Sequence, residues 1–387
     1  MINRLKVFET IYIFCYIFFF VALYIEDIAF NNPITHIIKF MKIFTIIMLC
    51  IMLFIRFWKL NEIFKIAIMM LLGAAILLFS GDFFWLIILL MGVLSSDVEE
   101  KVIFKSSICV MLTLTVLVVI LYIFGFLPDV VTYRSDFSQS GRYSIGFAHS
   151  AVLPLIVLYT LCYYVRLRKE RSNEVLLFIC GVTAIFLYFI CESRNAVFFT
   201  VCICCSTLLF KDERIRKKTN NLIKFMAKYI FILCALFSIL PGYLRNQGIL
   251  MEWWYEYDSI FTNRSMLASS AIEAYGIKFI NNMSYEEYTS QVVEVDSYLQ
   301  NGIVLDSAYI FVFVRYGVLV LLLLWIIFCG IFSSSKSNVI DCMIVVILAL
   351  ANSIDNDILS YGFLPFMILG VRQMCSEKNS KCVNISS

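Results

Sequence analysis

Apolar runs of about span length recur along the chain at residues 8–24, 40–56, 64–80, 83–96, 106–127, 150–166, 174–192, 195–210, 223–241, 307–330, 338–353 and 358–372. A helix needs roughly 20 apolar residues to cross a hydrocarbon core about 30 Å thick. Helices are the expected element, because open sheets leave backbone groups unsatisfied in lipid. The pattern predicts an all-α integral membrane protein, a polytopic bundle of about 12 transmembrane helices forming a single polytopic membrane domain over 1–387. Two polar intervals interrupt it: a first large outer loop over 128–150 and a long outer (extracytoplasmic) loop over 241–306. Within the second, Leu267, Ala271, Tyr275 and Phe279 recur every four residues, so 265–280 reads as an amphipathic helix with Asn263 placed to cap it.

Composition agrees: 61% of residues are hydrophobic and 15% charged, with a mean hydropathy of +0.89, whereas a soluble domain is about half apolar. Most of the 31 Lys and Arg residues fall on alternate connections if the N-terminus is inside. The positive-inside bias therefore places both termini in the cytoplasm of a multi-pass protein. The same bias explains the basic runs at 166–171 and 211–218 without a nucleic-acid partner. Arg4 and Lys6 precede an apolar run with no small-residue cleavage site, which reads as a retained first span.

The 14 cysteines lie mostly in apolar segments and none is in the long loop, so no disulfide framework is expected. Cys202, Cys204 and Cys205 have no histidine nearby and read as packing residues. Asp355-Asn356-Asp357 mimics the metal-binding pattern of nucleotide-sugar transferases, but it sits on a short outer turn. Neither a metal nor a cofactor is expected.

Basic residues on the outer side run against the topological bias. They are Arg134 and Arg142 in the first large loop, Arg194 in a tight turn, Arg245 and Arg264 in the long loop, and Arg315 inside the run at 307–330. Arg315 near the membrane centre would cost about 3 kcal/mol, so it should face protein or a wet cavity. Several of these guanidiniums could clamp a phosphorylated headgroup, since their planar fork matches phosphate oxygens; snorkelling to the interface is the competing reading. The long loop is acidic overall, so individual arginines would have to hold the phosphate. Arg264 opens the 265–280 helix, where an arginine beside free amides makes an anion site; a helix lying on the bilayer surface is the alternative. Trp253 and Trp254 among carboxylates suit sugar stacking and suit an interfacial aromatic belt equally. His149 ends the first large loop close to Arg142, where it could act as a general base or orient a hydroxyl; it could also be plain polar surface.

These residues resemble a known family, the O-antigen and capsular polysaccharide polymerases (Wzy-type), related to the O-antigen ligases. Gly141-Arg142-Tyr143-Ser144-Ile145-Gly146-Phe147-Ala148-His149 is similar to the family's Arg-x-x-x-Gly-Phe-x-His pattern. Asp258 through Asn263-Arg264 resembles the arginine opening the long-loop helix, and Asp306-Ser307-Ala308-Tyr309 with Arg315-Tyr316-Gly317 is similar to its re-entry pattern. The family often continues the histidine with Pro-Asn, whereas Ser150-Ala151 follow here. The ligase relatives place a histidine where this chain has Asp306.

The resemblance implies a metal-independent glycosyltransferase of the GT-C-like kind in the bacterial cytoplasmic (inner) membrane. Its partners would be a glycan donor and acceptor linked to undecaprenyl diphosphate, membrane lipid, and a chain-length regulator. Asp306 or His149 would activate the acceptor. Arg142, Arg264, Arg194 and Arg315 would hold diphosphate, and Trp253, Trp254 and Tyr309 would bind sugar. The competing functions are a lipid-linked glycan flippase or transporter, a ligase-like enzyme, and a polyprenyl-phosphate-sugar transferase built on Glu26-Asp27.

Overall fold

A computed structural model of the chain describes residues 2–30, 34–56, 58–131, 141–168, 173–249, 251–260, 264–281, 307–335, 338–354 and 359–375. Among the described residues there are 15 α-helices, one short 3-10 turn, and no strand beyond an isolated antiparallel bridge between Ile28 and Phe147. In chain order the helices are α1 (Ile2–Glu26), α2 (Thr35–Ile55), α3 (Leu60–Ser80), α4 (Phe84–Leu94) and α5 (Glu100–Ile123). There follow α6 (Val152–Arg168), α7 (Glu174–Cys191), α8 (Arg194–Leu209), α9 (Glu213–Asn246), α10 (Met251–Ile260) and α11 (Arg264–Tyr275). The chain closes with α12 (Ala308–Tyr316), α13 (Val318–Ser335), α14 (Val339–Ile354) and α15 (Leu364–Cys375).

The expectation of about 12 transmembrane helices is corrected. Among the described residues six helices are long and apolar enough to cross a membrane, and they lie in α1, α2, α3, α5, α7 and α9. Hydropathy counts apolar residues and does not see where a helix stops. α4 has 11 residues and α15 has 12, a rise of about 17 Å each at 1.5 Å per residue. Both are apolar because protein surrounds them: nearly every residue of α4, and Leu364 through Val371 of α15, is buried. A helix hydrophobic on all sides marks a core as readily as a span.

The apolar run at 307–330 is broken in two at Gly317. Its φ is +90°, and a Cβ there would lie 2.7 Å from the Phe279 carbonyl oxygen. Residues 278–281 fill the break: the Val318 and Leu319 N–H groups donate to the Lys278 and Phe279 carbonyls at 3.1 and 3.0 Å, and Asn281 N–H donates to Tyr316 O at 3.1 Å.

The long polar interval also differs from expectation. α9 continues through Pro241 to Asn246, and the next stretch folds as α10 and α11. The buried face of α11 is Ser265, Ala268, Ala271 and Ile272, of which only Ala271 belongs to the predicted stripe; Leu267 and Tyr275 are half-buried, and Phe279 lies beyond the helix, largely exposed. Small residues set this face because α11 packs closely on α9. A Cβ at Gly242 would sit 2.5 Å from that of Ala268, the close approach that small residues allow between helices.

The two ends of the bundle differ in chemistry. At one end Arg166, only 5% exposed, pairs with Asp341 at 2.7 Å and Glu100 at 2.9 Å and donates to Ser334 Oγ at 3.1 Å. Arg166, read from the sequence as part of an anchoring basic run, thus ties α5, α13 and α14 together. The opposite end of α6, about 20 Å away by helix rise, opens on the cavity described next.

Candidate functional site

A cavity of about 880 Å³ is lined by Arg142, His149, Glu192, Arg194, Tyr257, Arg264 and Ser307, with apolar walls from α9 and α14. Its size lies within the usual range for small-molecule sites, about 300–1,000 Å³. Four helices begin at its wall. Ser150 and Ala151 precede α6, Ser193 and Arg194 open α8, Arg264 opens α11, and Ser307 immediately precedes α12. The first amides of a helix lack internal partners and carry partial positive charge, so each start favours an anion. The C-terminal turn of α14 also reaches the wall, through Ser353 and Ile354.

Each arginine is held by its local fold. The Arg142 segment is pinned because Asp129 Oδ1 accepts from the Ser144 and Ile145 N–H groups at 3.0 and 3.1 Å. Ile145 and Gly146 turn the chain with φ of +53° and +81°, and Ala148 N–H donates to Asp27 O at 2.9 Å. Arg142 Nε lies 3.6 Å from Glu192 Oε2, and its Nε and Nη2 are buried without a hydrogen-bond partner among the described residues. The buried Ser307 hydroxyl is likewise unpartnered. Two sets of buried donors at this cavity therefore lack a hydrogen bond among the described residues, an arrangement that costs free energy unless a ligand or water satisfies it.

Arg194 and Glu192 share the tight turn between α7 and α8, where Glu192 adopts φ +49°. A left-handed glutamate is uncommon, and such backbone outliers concentrate at functional sites. Arg264 is positioned by Asp258, whose carboxylate accepts the Ser265 N–H at 2.9 Å and pairs with Arg245. His149 Nδ1 accepts the Ala151 N–H at 3.1 Å. On a neutral ring this acceptor bond places the proton on Nε2, which can then donate.

Of the residues singled out in the sequence, Arg142, Arg194, Arg264 and His149 meet here. Arg315 does not: it is 5% exposed, pairs with Asp82 at 3.2 Å, and lines a second cavity of about 540 Å³. Tyr309 is fully buried, its hydroxyl donating to Ala349 O at 3.0 Å. Trp253 is exposed on α10, and Trp254 bonds Ile249 O at 2.6 Å; neither lines the first cavity. Asp306, Asn263, Arg134 and the Asp355-Asn356-Asp357 turn lie outside the described residues.

Sequence reasoning missed Glu192, whereas Ser307 stood in the re-entry motif without a role of its own. The signal for Glu192 was present, since Glu192-Ser193-Arg194 puts two opposite charges within three residues between apolar runs. Among the described residues Glu192 is the one carboxylate on the cavity wall.

The second cavity sits beside Glu26, Asp27, Lys39, Lys42, Asp82 and Arg315. Glu26 and Lys42 pair at 2.5 Å, and the Tyr316 hydroxyl donates to Asp82 at 2.6 Å. Burial works to raise the Asp82 carboxyl, but Arg315, Lys42, Tyr316 and the Phe84 N–H outweigh it and hold the carboxyl below its usual range. Burial, helped by Glu26, pushes the Asp27 carboxyl up to about 7. Among the described residues no group of three or more His, Cys, Asp or Glu side chains is placed to share a metal ion.

Comparison with family models, curated proteins and solved structures returned no match to this chain.

Proposed function

We propose that this multi-pass membrane protein is a polysaccharide polymerase that joins oligosaccharide repeats carried on undecaprenyl diphosphate, working without a metal. The observation that carries this reading is the convergence of Arg142, Arg194 and Arg264 with four helix N-termini on one cavity. That set matches a diphosphate leaving group, whose charge grows as the glycosidic C–O bond breaks.

In the step proposed, an acceptor hydroxyl oxygen attacks the anomeric carbon of the donor glycan. The bond from that carbon to the diphosphate oxygen breaks, and the lipid diphosphate leaves with the bonding pair. The hydroxyl proton passes to a carboxylate. Glu192 is the carboxylate on the cavity wall, and Asp306 precedes Ser307, which lines it. His149 Nε2–H orients an oxygen by donation.

We place the cavity on the outer face of the cytoplasmic membrane and both termini inside. Supporting this is the gathering of Arg56, Lys65, Arg166 and Arg372 at the opposite end, with bonds to Asp97, the Cys375 carbonyl, Asp341 and the Val98 carbonyl. The test is complementation of a deletion strain. Arg142→Ala and Arg264→Ala proteins, present at normal levels, should leave single capped repeats and no polymer. Normal polymer from both variants would overturn the assignment; free lipid-linked polymer would point to the ligase instead.

A further inference from the structure

The cavity holding Arg315 has chemistry unlike the first. Three acids, Glu26, Asp27 and Asp82, face three bases, Lys39, Lys42 and Arg315. Two ion pairs, Glu26–Lys42 and Asp82–Arg315, cancel most of that charge. Asp27 and Lys39 remain without an ion-pair partner among the described residues. Phe83 and Phe311 supply apolar wall, and Ser80, Thr35 and Ser360 add short polar side chains at the lining.

A near-neutral cavity with fixed carboxylates, ammonium donors and aromatic wall fits a hydroxyl-rich ligand. Carboxylates accept from vicinal hydroxyls, lysines donate to them, and a ring covers the apolar CH face of a sugar. An anion gains little here, because Lys42 and Arg315 are already paired and, among the described residues, Glu26, Asp27 and Asp82 leave Lys39 as the single unpaired cation beside three acids. The volume of about 540 Å³ is ample for a small ligand.

The two cavities share walls. α12 sends Ile310 into the first and Phe311 and Arg315 into the second. Asp27 accepts a backbone bond from Ala148, the neighbour of His149. We infer that the second cavity binds the terminal sugar of a glycan through Asp27 and Lys39, and that it holds the acceptor beside the diphosphate site. Its sugar chemistry stands on the cavity alone, while the acceptor role rests on the polymerase reading. Asp27 supports this, since a carboxyl pushed up to about 7 is partly protonated near neutrality and can both donate and accept.

The test uses the full-length protein in lipid nanodiscs with methyl glycosides of common hexoses, N-acetylhexosamines and uronic acids, read by saturation-transfer NMR. Inorganic pyrophosphate binding is measured in parallel by calorimetry. At least one glycoside should bind wild type and Arg142→Ala equally, with binding at least tenfold weaker in Asp27→Ala and in Ser360→Trp, which fills the cavity. Unchanged pyrophosphate binding in those two variants shows that they are folded. Glycoside binding that survives both substitutions, or no glycoside binding to wild type, overturns the proposal. Pyrophosphate competing at this cavity would also overturn it. Absent pyrophosphate binding with intact glycoside binding sinks the polymerase reading and leaves the sugar site standing.

Discussion

Asp258 accepts the Ser265 N–H at 2.9 Å, one residue beyond Arg264. The same carboxylate pairs with Arg245 at the end of α9, and Arg245 donates to Ser265 Oγ at 3.2 Å. One buried acid thus joins the end of α9, α10 and the first turn of α11, and so sets where Arg264 stands. Removing it by Asp258→Ala leaves a part-buried guanidinium short of its counter-charge, at a cost on the order of 2 kcal/mol. Thermal unfolding in detergent should show the loss. The paired replacement Arg245→Met with Asp258→Leu should restore stability but not polymer, since the amide of Ser265 loses its acceptor. Full activity in that double variant would show that the clamp does not position Arg264.

Arg142, Arg194 and Arg264 face one cavity from three separate segments, so their contributions should be large and partly redundant. Loss of one donor to a developing negative charge costs about 10²–10³-fold in rate. Single alanine variants should fall by that order in a reconstituted assay of chain lengthening. Lysine at Arg142 should recover little, because an ammonium lacks the planar fork. Recovery of wild-type rate by Arg142→Lys would show that charge alone matters there.

The legible parts of this site were those with charge in the wrong place for the topology. Arg142, Arg194 and Arg264 stood out because cations on the outer side oppose the positive-inside bias, and the structure brings all three to one cavity. Arg315 shared the same signal, but its partner Asp82 lies 233 residues away in sequence, a pairing that spacing cannot reveal. Tyr309 sat inside a matching motif and is nevertheless fully buried, because it packs against Phe231 of α9 and bonds the Ala349 carbonyl of α14. The span count failed for a related reason. Windows of hydropathy merge α12 and α13 across Gly317, and they cannot separate lipid-facing helices such as α5 from a protein-buried one such as α4.

Glu192 and His149 make distinct predictions. If Glu192 takes the acceptor proton, Glu192→Gln should lower kcat sharply with little change in KM, the signature of an interaction made in the transition state. His149→Ala should raise KM or lower kcat modestly, about tenfold, and His149→Gln should retain much of the activity because the amide still donates. An inactive His149→Gln enzyme with an active Glu192→Gln enzyme would reverse the two roles.

Gly317 should tolerate no side chain. Its φ of +90° is strained for other residues, and an added Cβ would meet the Phe279 and Lys278 carbonyl oxygens at 2.7 and 2.8 Å. Those carbonyls accept from Leu319 and Val318, so the clash would pull 278–281 off the break between α12 and α13. Gly317→Ala should cost at least 2 kcal/mol by strain and lost hydrogen bonding. Reduced yield and a lowered Tm would register it, whereas Gly181→Ala, with open space around its Cβ position, should leave both nearly unchanged.

Asp27 should make stability depend on pH. In the unfolded chain its carboxyl titrates near 4; in the folded protein burial and the Glu26 charge push it up to about 7. The folded state therefore holds the proton more tightly. Its favourable contribution is complete below about pH 4, falls as pH rises, and is lost above about 7. Integrated fully, a shift of this size is worth about 4 kcal/mol. Because Asp27 lines an open cavity with Lys39, Lys42, Asp82 and Arg315 around it, about 1–2 kcal/mol is the expected effect. Asp27→Asn removes the titration while keeping the shape. Its Tm should exceed that of wild type at pH 8 by a few degrees, with the gap narrowing as pH falls and closing near pH 4. Glu26→Gln should shift the wild-type transition toward lower pH, since one cause of the raised carboxyl is gone. A Tm difference between Asp27→Asn and wild type that stays constant from pH 5 to 8 would show that Asp27 ionises freely in the folded protein.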